Sequence, residues 1–284
     1  MTTRREFTSN VTVGTAALIT GCASDTSKKE DTEKETIAGT GGAMNMYRHL
    51  SIDNTERIRR YKKFYGGLVF DKLWSLGIRE TMLSTKIRPL RMDVVLAGPA
   101  LTVKIHTYAE PEDVINERGN RGWGGGPKQR KIMESIKPGD VICIETGPNF
   151  LSAQWGEMSS HYAQNLGASG VVMAGNIRDT RIIIRMEDFP VFTMGITANA
   201  KIGWIVNEIN QPIYMPGHLK HSVKVFPGDF LFGDSDGVQV IPSEVVDEVM
   251  LRCEELLDTE SAQRKTIRNS KMTIDEIYRK YGNF

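Results

Sequence analysis

The stretch that most constrains this chain is Val171–Thr180, which reads VVMAGNIRDT. Its first four residues are apolar and predict a short buried strand, which Gly175 and Asn176 are expected to end. Arg178 and Asp179 follow at once. Arg presents a planar fork of donors to a carboxylate or enolate oxygen, and Asp presents a hard oxygen ligand to a divalent cation. The stretch predicts a site for an anion and a metal; the alternative is a surface ion pair that caps the next helix.

Composition sets broad limits on what the chain can do. Its 284 residues are enough for one large domain or two small ones. The net charge is +1, so no nucleic-acid partner is expected. The three cysteines are too few for a disulfide framework. Cys143 and Cys253 lie in apolar or helical patterns and are predicted to be packing residues.

The first 22 residues resemble an export signal. Arg4 and Arg5 begin a twin-arginine pattern, an apolar stretch too short to span a bilayer follows, and Ile19–Cys22 resembles a bacterial lipobox. In a lipobox the cysteine becomes the lipidated first residue of the mature protein; the alternative is an accidental cysteine after a signal peptide. Residues 23–42 are polar and predict a flexible tether. We therefore expect an exported protein, periplasmic or on the cell surface, that meets the membrane only through a lipid on Cys22.

Residues 43–284 are predicted to form the folded domain. Helical patterns alternate with strand patterns up to the middle of the chain, and strand patterns dominate after it. Gly98-Pro99 is expected to separate two strands, because proline cannot donate to a sheet. A helix is predicted over Ser152–Leu166, and a long C-terminal helix is predicted to reach about Leu257. The glycine-rich stretch Pro111–Pro127 predicts a mobile loop that selects the substrate.

Beyond Arg178-Asp179, several short motifs occur in a fixed order. They are Gly98-Pro99-Ala100, Pro138-Gly139-Asp140-Val141, Trp155-Gly156-Glu157, Gly175 with Arg178-Asp179, Pro190-Val191-Phe192, Pro227-Gly228-Asp229 and Asp236-Gly237-Val238. Together they resemble the RraA-like family, which includes the 4-hydroxy-4-methyl-2-oxoglutarate aldolases. The resemblance covers roughly residues 68 to 256.

This resemblance implies a fold, an assembly and an activity. The fold is an α/β, three-layer β/β/α swivelling-type domain with flanking helices. The assembly is a homotrimer or hexamer whose site lies between subunits. The family's enzymes are class II aldolases and oxaloacetate decarboxylases that use Mg²⁺ or Mn²⁺. The resemblance does not name the acid that a neighbouring subunit adds to the metal site.

The resemblance also implies roles for individual residues. Arg178 contacts the keto oxygen of pyruvate, and Asp179 ligates the metal. Glu157 is the acid that holds a water of the metal, and the backbone amides of Met158 and Ser159 hold the pyruvate carboxylate. An ordinary alternative for Glu157 is a favourable charge at the start of a helix.

The chemistry of these residue types supports the same assignment. Retro-aldol cleavage and β-decarboxylation of a 2-oxo acid both leave the enolate of pyruvate, and a fixed cation and a fixed donor at its oxygen lower the barrier. The predicted function is therefore a divalent-metal-dependent lyase for a small 2-oxo acid. The alternative is a non-catalytic RraA-like binding or regulatory protein. The family often has an arginine in the strand after its Arg-Asp pair, where this chain has Met194, so the distal half of the substrate is not expected to be the standard dicarboxylate.

Overall fold

A computed structural model of the chain describes residues 47–107, 126–147, 150–200 and 203–282. The chain divides into two units, Met1–Lys34 and Glu35–Phe284, and all of the described residues belong to the second. The predicted export signal, Cys22, the tether and residues 111–125 of the predicted substrate loop lie outside the described residues. No helix in the described part of the chain is both long enough and apolar enough to cross a membrane.

The helices follow start signals that can be read in the sequence. Asp53 caps the first helix by accepting a hydrogen bond from Glu56 N, as expected for an aspartate at this position. Thr273 and Glu276 form a capping box at the last helix. The helices are α1 (Asn54–Tyr61), α2 (Gly66–Ser75), α3 (Gly126–Ser135), α4 (Glu157–Asn165), α5 (Thr180–Ile183), α6 (Val246–Asn269) and α7 (Ile274–Tyr281). Helix α6 runs well beyond the predicted end near Leu257.

The strands form one large mixed sheet and a separate hairpin. They are β1 (Arg88–Pro89), β2 (Leu96–Thr107), β3 (Val141–Glu145), β4 (Ala153–Trp155), β5 (Gly170–Ile177), β6 (Val191–Ile196), β7 (Trp204–Ile209), β8 (Ile213–Pro216), β9 (Ser222–Val225), β10 (Phe230–Asp234) and β11 (Gly237–Ile241). Within the described residues the large sheet has the order β1-β6-β5-β3-β2-β10-β11, with β4 paired to β5 and β7 paired to β2. Strands β2, β3, β5 and β6 are parallel neighbours, and β8 and β9 pair with each other.

Apolar residues on β3 and β5 alternate between the two faces of the sheet, as the pleat requires. Ile142, Ile144, Val171 and Met173 pack in the cluster that holds residues of α3, α4 and α5, whereas Val141, Cys143, Val172 and Ala174 pack with residues of β8 and β9. A third cluster joins α1, α2 and α6 to β10 and β11. This arrangement confirms the predicted α/β class, its three β/β/α layers and its flanking helices.

Strand β2 is continuous through Gly98-Pro99, so the predicted break there is wrong. The N–H of Ala100 donates to Asp229 O at 2.7 Å, and its C=O accepts from Gly228 N at 3.0 Å. Because successive residues of a strand face opposite neighbours, the nitrogen of Pro99 faces the other side. Pairing with β3 on that side begins only at Ala100. The missing donor of Pro99 therefore costs the sheet no hydrogen bond.

Strand β5 also continues where the sequence predicted an end. Gly175 and Asn176 lie inside it, and its register against β6 shifts between Met173 and Asn176. A Cβ at position 175 would lie 2.6 Å from the Cγ2 atom of Thr146, so glycine is needed there for close packing rather than for a turn. The strand therefore ends at Ile177, directly before Arg178.

The predicted helix over Ser152–Leu166 is in fact a short strand followed by a helix. Residues Ala153–Trp155 form β4, Gly156 is extended, and α4 begins at Glu157. Glycine is unfavourable inside a helix, and an extended residue such as Gly156 is typical of the position just before a helix begins. This correction moves Glu157, Met158 and Ser159 into the first turn of α4.

Candidate active site

The site forms where β4 and β5 end side by side. The two strands are parallel, with Trp155 opposite Ile177, and Arg178 N donates to Trp155 O at 3.1 Å. The residues that follow β4 and those that follow β5 therefore emerge at the same edge of the sheet. This pairing brings Glu157 and Asp179 within hydrogen-bonding distance, although their positions differ by 22 in the sequence.

Gly156 allows this close approach. A Cβ at position 156 would lie 2.7 Å from Asp179 Oδ2 and 3.3 Å from Arg178 Cγ. The first distance is shorter than van der Waals contact permits, so any larger residue would displace the Arg-Asp pair. The glycine of the Trp-Gly-Glu motif is thus required by packing against the site itself.

Asp179 is held in an uncommon backbone conformation. It has φ 60° and ψ 26°, the left-handed region that non-glycine residues seldom adopt. Its Oδ2 accepts a hydrogen bond from Glu157 N at 3.3 Å and lies 3.3 Å from Arg178 Nε. Among the described residues no hydrogen-bond partner reaches Asp179 Oδ1. One carboxylate oxygen is therefore fixed by its neighbours while the other remains available to a ligand.

The first turn of α4 presents backbone N–H groups to the same place. The first hydrogen bond within the helix runs from Ser160 N to Gly156 O at 3.1 Å, and Gly156 has no side chain to cap the N–H groups of Met158 and Ser159. Ser160 Oγ donates to Gly156 O at 3.0 Å and accepts from Trp155 Nε1 at 2.9 Å, which fixes the turn. Unbonded N–H groups at a helix start favour an anion.

Glu157 lies at the start of α4 and faces His161 one turn further along. The shortest distance between the His161 ring and the Glu157 carboxylate, from Nε2 to Oε1, is 3.8 Å. This distance is too long for a hydrogen bond, so the contact leaves the carboxylate able to bind water or a ligand. Glu157 also carries the favourable charge at a helix start that the sequence offered as its alternative role.

These groups line one small cleft of about 140 Å³. Its lining residues are Ala153–Ser159, Arg178, Asp179, Ala200 and Trp204. The cleft therefore brings together every site residue predicted in the folded domain: Glu157, Met158, Ser159, Arg178 and Asp179. Ala153, Ala200 and Trp204 also line the cleft and were not predicted. Nothing in the local sequence links these residues to this edge of the sheet.

Polar side chains, buried at Gln154 and Asn176 and exposed at Asn199, hold the wall of the cleft in place. Asn176 N donates to Gln154 Oε1 at 3.1 Å, and the Asn176 side-chain amide donates to Phe150 O. Asn199 donates from its side chain to Leu151 O at 2.6 Å. Because buried polar groups are costly unless they are bonded, this network fixes the segment that leads into β4. These amides were also missed from sequence alone, where Asn176 was interpreted as a strand breaker.

The carboxylate oxygens in the cleft are ligands that suit a magnesium or manganese ion. In the described part of the chain no cluster of three or more His, Cys, Asp or Glu side chains could hold a metal. Mg²⁺, however, is commonly held by one or two carboxylates and completes its shell with water and substrate oxygens. Asp179 Oδ1 is a hard oxygen of that kind, and it lies beside a helix start whose uncapped N–H groups favour an anion. His218 and His221, which are spaced like metal ligands, lie outside this cleft and are exposed.

The sequence profile of the RraA-like family, described as Aldolase/RraA, matches residues 68–240. The chain belongs to the RraA-like family. An RraA-like protein of Halalkalibacterium halodurans, provisionally named 4-hydroxy-4-methyl-2-oxoglutarate aldolase, is 30% identical over 194 residues, which is 68% of this chain and 82% of the relative. These matches confirm the family identified from the ordered motifs.

Solved structures share the RraA-like fold. One, described as novel cellulases from microbes associated with the gut ecosystem, is 27% identical with a TM-score of 0.64, and the match covers 75% of this chain and 89% of that chain. Another, RraAS2 of Streptomyces coelicolor, is described as an unusual member of the RNase ES inhibitor RraA protein family. It is 22% identical with a TM-score of 0.60, over 77% of this chain and 98% of that chain. At this identity the second match shows the fold alone.

Proposed function

We propose that this RraA-like protein is a divalent-metal-dependent lyase that cleaves a small 2-oxo acid by retro-aldol cleavage or β-decarboxylation. The observation that carries the proposal is the convergence of Arg178, the free oxygen of Asp179 and the start of α4 in one cleft. The aldolase name of the Halalkalibacterium halodurans relative supports it. The three groups match the three demands of the reaction: a carboxylate to hold, an oxygen on which charge develops, and a cation.

The start of α4 would bind the substrate carboxylate. The N–H groups of Met158 and Ser159 have no acceptor within the helix, and the first turn adds the positive end of the helix dipole. The guanidinium of Arg178 lines the same cleft and would donate to the 2-keto oxygen. This arrangement holds the substrate at two adjacent atoms and fixes the bond that breaks relative to the donors.

Arg178 would stabilise the negative charge that develops on the enolate oxygen of pyruvate. When the C3–C4 bond breaks, its electron pair passes into the pyruvate fragment and the keto oxygen becomes an enolate oxygen. The other fragment leaves as carbon dioxide in the decarboxylation, or as a carbonyl compound in the retro-aldol reaction, where a water oriented by Glu157 would take the proton of the C4 hydroxyl. A bound divalent cation, held by Asp179 with Mg²⁺ or Mn²⁺ as the fitting ions, would supply further positive charge at that oxygen. A charged donor fixed beforehand costs no reorganisation as the charge develops. Glu157 would hold and orient water at the mouth of the cleft and return a proton to the fragment.

The proposal is tested by pyruvate release from oxaloacetate and from 4-hydroxy-4-methyl-2-oxoglutarate. The protein is freed of metal with EDTA, and turnover is measured before and after Mg²⁺ or Mn²⁺ is restored. We expect turnover that depends on the added metal with at least one of the two substrates. If neither substrate, nor any member of a wider panel of 2-oxo acids, is turned over, the result would contradict the lyase and favour the non-catalytic alternative.

A cellulose substrate belongs in the same panel, because one structural neighbour is described as a cellulase. Glycoside hydrolysis needs two carboxylic acids that act independently on either side of the sugar bond. Here Asp179 is bonded to Glu157 N and lies against Arg178, which suits a metal ligand better than a catalytic acid. Release of reducing sugar without any action on 2-oxo acids would therefore overturn the proposed function.

We also propose that the site is shared between subunits of a trimer or hexamer. Large apolar side chains are exposed at Met158 in the cleft and on neighbouring stretches of the chain, at Leu151, Tyr162, Ile182 and Ile196. Another copy of the chain would cover such a surface. Light scattering of the purified protein is expected to give a mass that is a multiple of three chains. A fully active monomer would contradict the shared site. Export and lipidation at Cys22 remain predictions from the sequence.

A further inference from the structure

A second cleft lies apart from the site at Arg178 and shares no lining residue with it. Its volume of about 730 Å³ falls within the roughly 300–1,000 Å³ typical of small-molecule pockets. The loop Gly77–Thr81 forms one side, β9 and the turn after it form another, and the end of β11 with the following residues closes the third. Of the family motifs, only Pro227-Gly228-Asp229 reaches this cleft, through Asp229, and the proposed lyase chemistry does not use it.

The cleft has an apolar base and one exposed aromatic wall. Val223 and Val240 are buried at 4% and 3% exposure, and Ile78 and Pro242 also line it. Phe226 stands on the wall with 47% of its surface exposed. An exposed phenyl ring beside a cluster of aliphatic side chains offers a stacking surface for a flat apolar group.

Two cations beside this apolar base have no acidic partner among the described residues. The guanidinium carbon of Arg79 lies 4.8 Å from the centre of the Trp74 ring, and Lys224 Nζ lies 4.4 Å from the centre of the Phe226 ring. Stacking on the rings orients both cations without neutralising their charge. Their N–H donors are therefore available to an anion in the cleft.

Most of the acidic side chains that line the cleft are already paired with other groups of the protein. Glu80 pairs with Lys220. The buried carboxylate of Asp229 accepts from Phe226 N at 2.8 Å and from Ser243 N at 3.2 Å. Glu244 is exposed at the rim, where water screens its charge. Among the described residues, Arg79 and Lys224 therefore leave two unpaired positive charges at the cleft, against the exposed acid Glu244 at its rim.

Thr81 adds an unsatisfied group to the same cleft. Its side chain is only 5% exposed, and its Oγ1 has no hydrogen-bond partner in the part of the chain that the structure describes. A buried hydroxyl without a partner costs free energy. A ligand oxygen that reached this wall, after a change of the Thr81 rotamer, would remove that cost.

We propose that this cleft binds a small aromatic carboxylate. The carboxylate pairs with Arg79 and Lys224, and the ring lies against Phe226 and the valines of the base. Each element of the site selects one part of such a ligand: the two cations require the negative charge, and the apolar base requires the ring. This site is independent of the proposed lyase reaction, because it shares no residue with that cleft.

The test uses 2-naphthoate as the probe and the full chain in calorimetric titrations. The wild type is expected to bind 2-naphthoate and to bind the neutral naphthalene-2-carboxamide at least about tenfold more weakly, as expected for the loss of charge-assisted hydrogen bonds. The double variant Arg79→Met and Lys224→Met keeps both aliphatic stems and should weaken 2-naphthoate binding by about tenfold or more. Both positions are exposed, so the fold should be unaffected.

Two further variants control the location of the site. Lys271→Met removes an exposed lysine outside the cleft and should leave binding unchanged. Arg178→Lys alters the other cleft and should also leave binding unchanged. The proposal is overturned if the wild type does not bind the probe, if the carboxamide binds equally well, or if the double variant behaves as wild type. Loss of binding in Arg178→Lys would place the probe in the lyase cleft and would equally overturn it.

Discussion

Asp179→Asn is expected to abolish metal-dependent pyruvate release while leaving the protein folded. Asparagine tolerates the left-handed backbone conformation that Asp179 adopts. Its side-chain oxygen can still accept the hydrogen bond from Glu157 N. What it lacks is the negative charge that a hard cation prefers. The measurements are Mg²⁺ affinity by titration, pyruvate formation, and the thermal unfolding midpoint of the same sample.

The chain contains a matched control for this variant. Asp188 also has a positive φ, of 53°, is exposed, and does not line the cleft. Asp188→Asn makes the same chemical change in the same backbone region and should leave metal binding and turnover unchanged. Normal metal affinity together with normal turnover in Asp179→Asn would contradict the proposed mechanism. A lowered unfolding midpoint with intact catalysis would indicate a structural ion pair instead.

Arg178→Lys separates the donor from the metal ligand. Lysine keeps the positive charge but loses the planar fork, so turnover should fall by roughly a hundredfold, the usual cost of one donor to a developing oxyanion. Metal affinity should change little, because Asp179 and its contact with Glu157 N remain. Asp179→Asn should therefore lose both properties, and Arg178→Lys should lose only turnover.

Much of this site could be predicted from the sequence, because its chemistry is concentrated in two short motifs. Arg178-Asp179 and Gly156-Glu157 were both identified, and the structure brings them into one cleft. The motifs do not reveal how they meet. That depends on the parallel pairing of β4 with β5, and β4 was hidden inside a predicted helix. A three-residue strand leaves too short a pattern to distinguish from a helix start.

The errors in the fold share one physical cause. Pro99 and Gly175 were interpreted by their local propensity, as residues that end strands. In the folded chain the nitrogen of Pro99 faces a side where β3 has not yet begun, and Gly175 gives room to Thr146. Both reasons lie in neighbours distant in sequence, which a single sequence does not show. Tertiary context overrides strand propensity in this way.

The second cleft could not be predicted for a related reason. Its loop, its hairpin and its C-terminal wall come from three separate parts of the chain: Gly77–Thr81, Lys220–Phe226 and Val240–Glu244. None of these stretches carries a motif with a known mechanism. The cations of these stretches indicate a site only once the structure shows Arg79 and Lys224 stacked on rings beside an apolar base, with no acidic partner among the described residues.

Glu248→Gln is expected to destabilise the fold strongly at neutral pH and hardly at all in acid. Glu248 is buried in the first turn of α6, where it accepts from Arg48 Nε at 2.7 Å and from Arg252 Nε at 2.6 Å. Arg48 N adds a third bond at 3.1 Å. The contacts to Arg48 attach the segment before α1 to α6, and the adjacent Asp247 reinforces the attachment by accepting a hydrogen bond from Leu50 N at 2.9 Å.

The size of the effect follows from the pKa of Glu248. Burial alone would raise this pKa, but the hydrogen bonds from Arg48 and Arg252 outweigh burial and lower it from 4.5 to about 2. At 1.36 kcal/mol for each pH unit, this difference corresponds to roughly 3 kcal/mol of stability at pH 7. Because the folded-state pKa lies below the unfolded one, the stabilisation is complete above about pH 4.5 and disappears as the pH falls toward 2.

Urea unfolding of the wild type and Glu248→Gln at pH 7 and at acid pH measures this directly. The two proteins should differ by roughly 3 kcal/mol at pH 7 and converge as the pH falls toward 2. Glu56→Gln is the matched control: Glu56 also pairs with an arginine, Arg59, but that arginine is exposed, so its loss should change stability far less. An equal loss at both pH values for Glu248→Gln would show that the side chain acts by packing rather than by charge. Convergence in acid would instead identify the Arg48–Glu248–Arg252 cluster as the acid-sensitive attachment between the segment before α1 and α6.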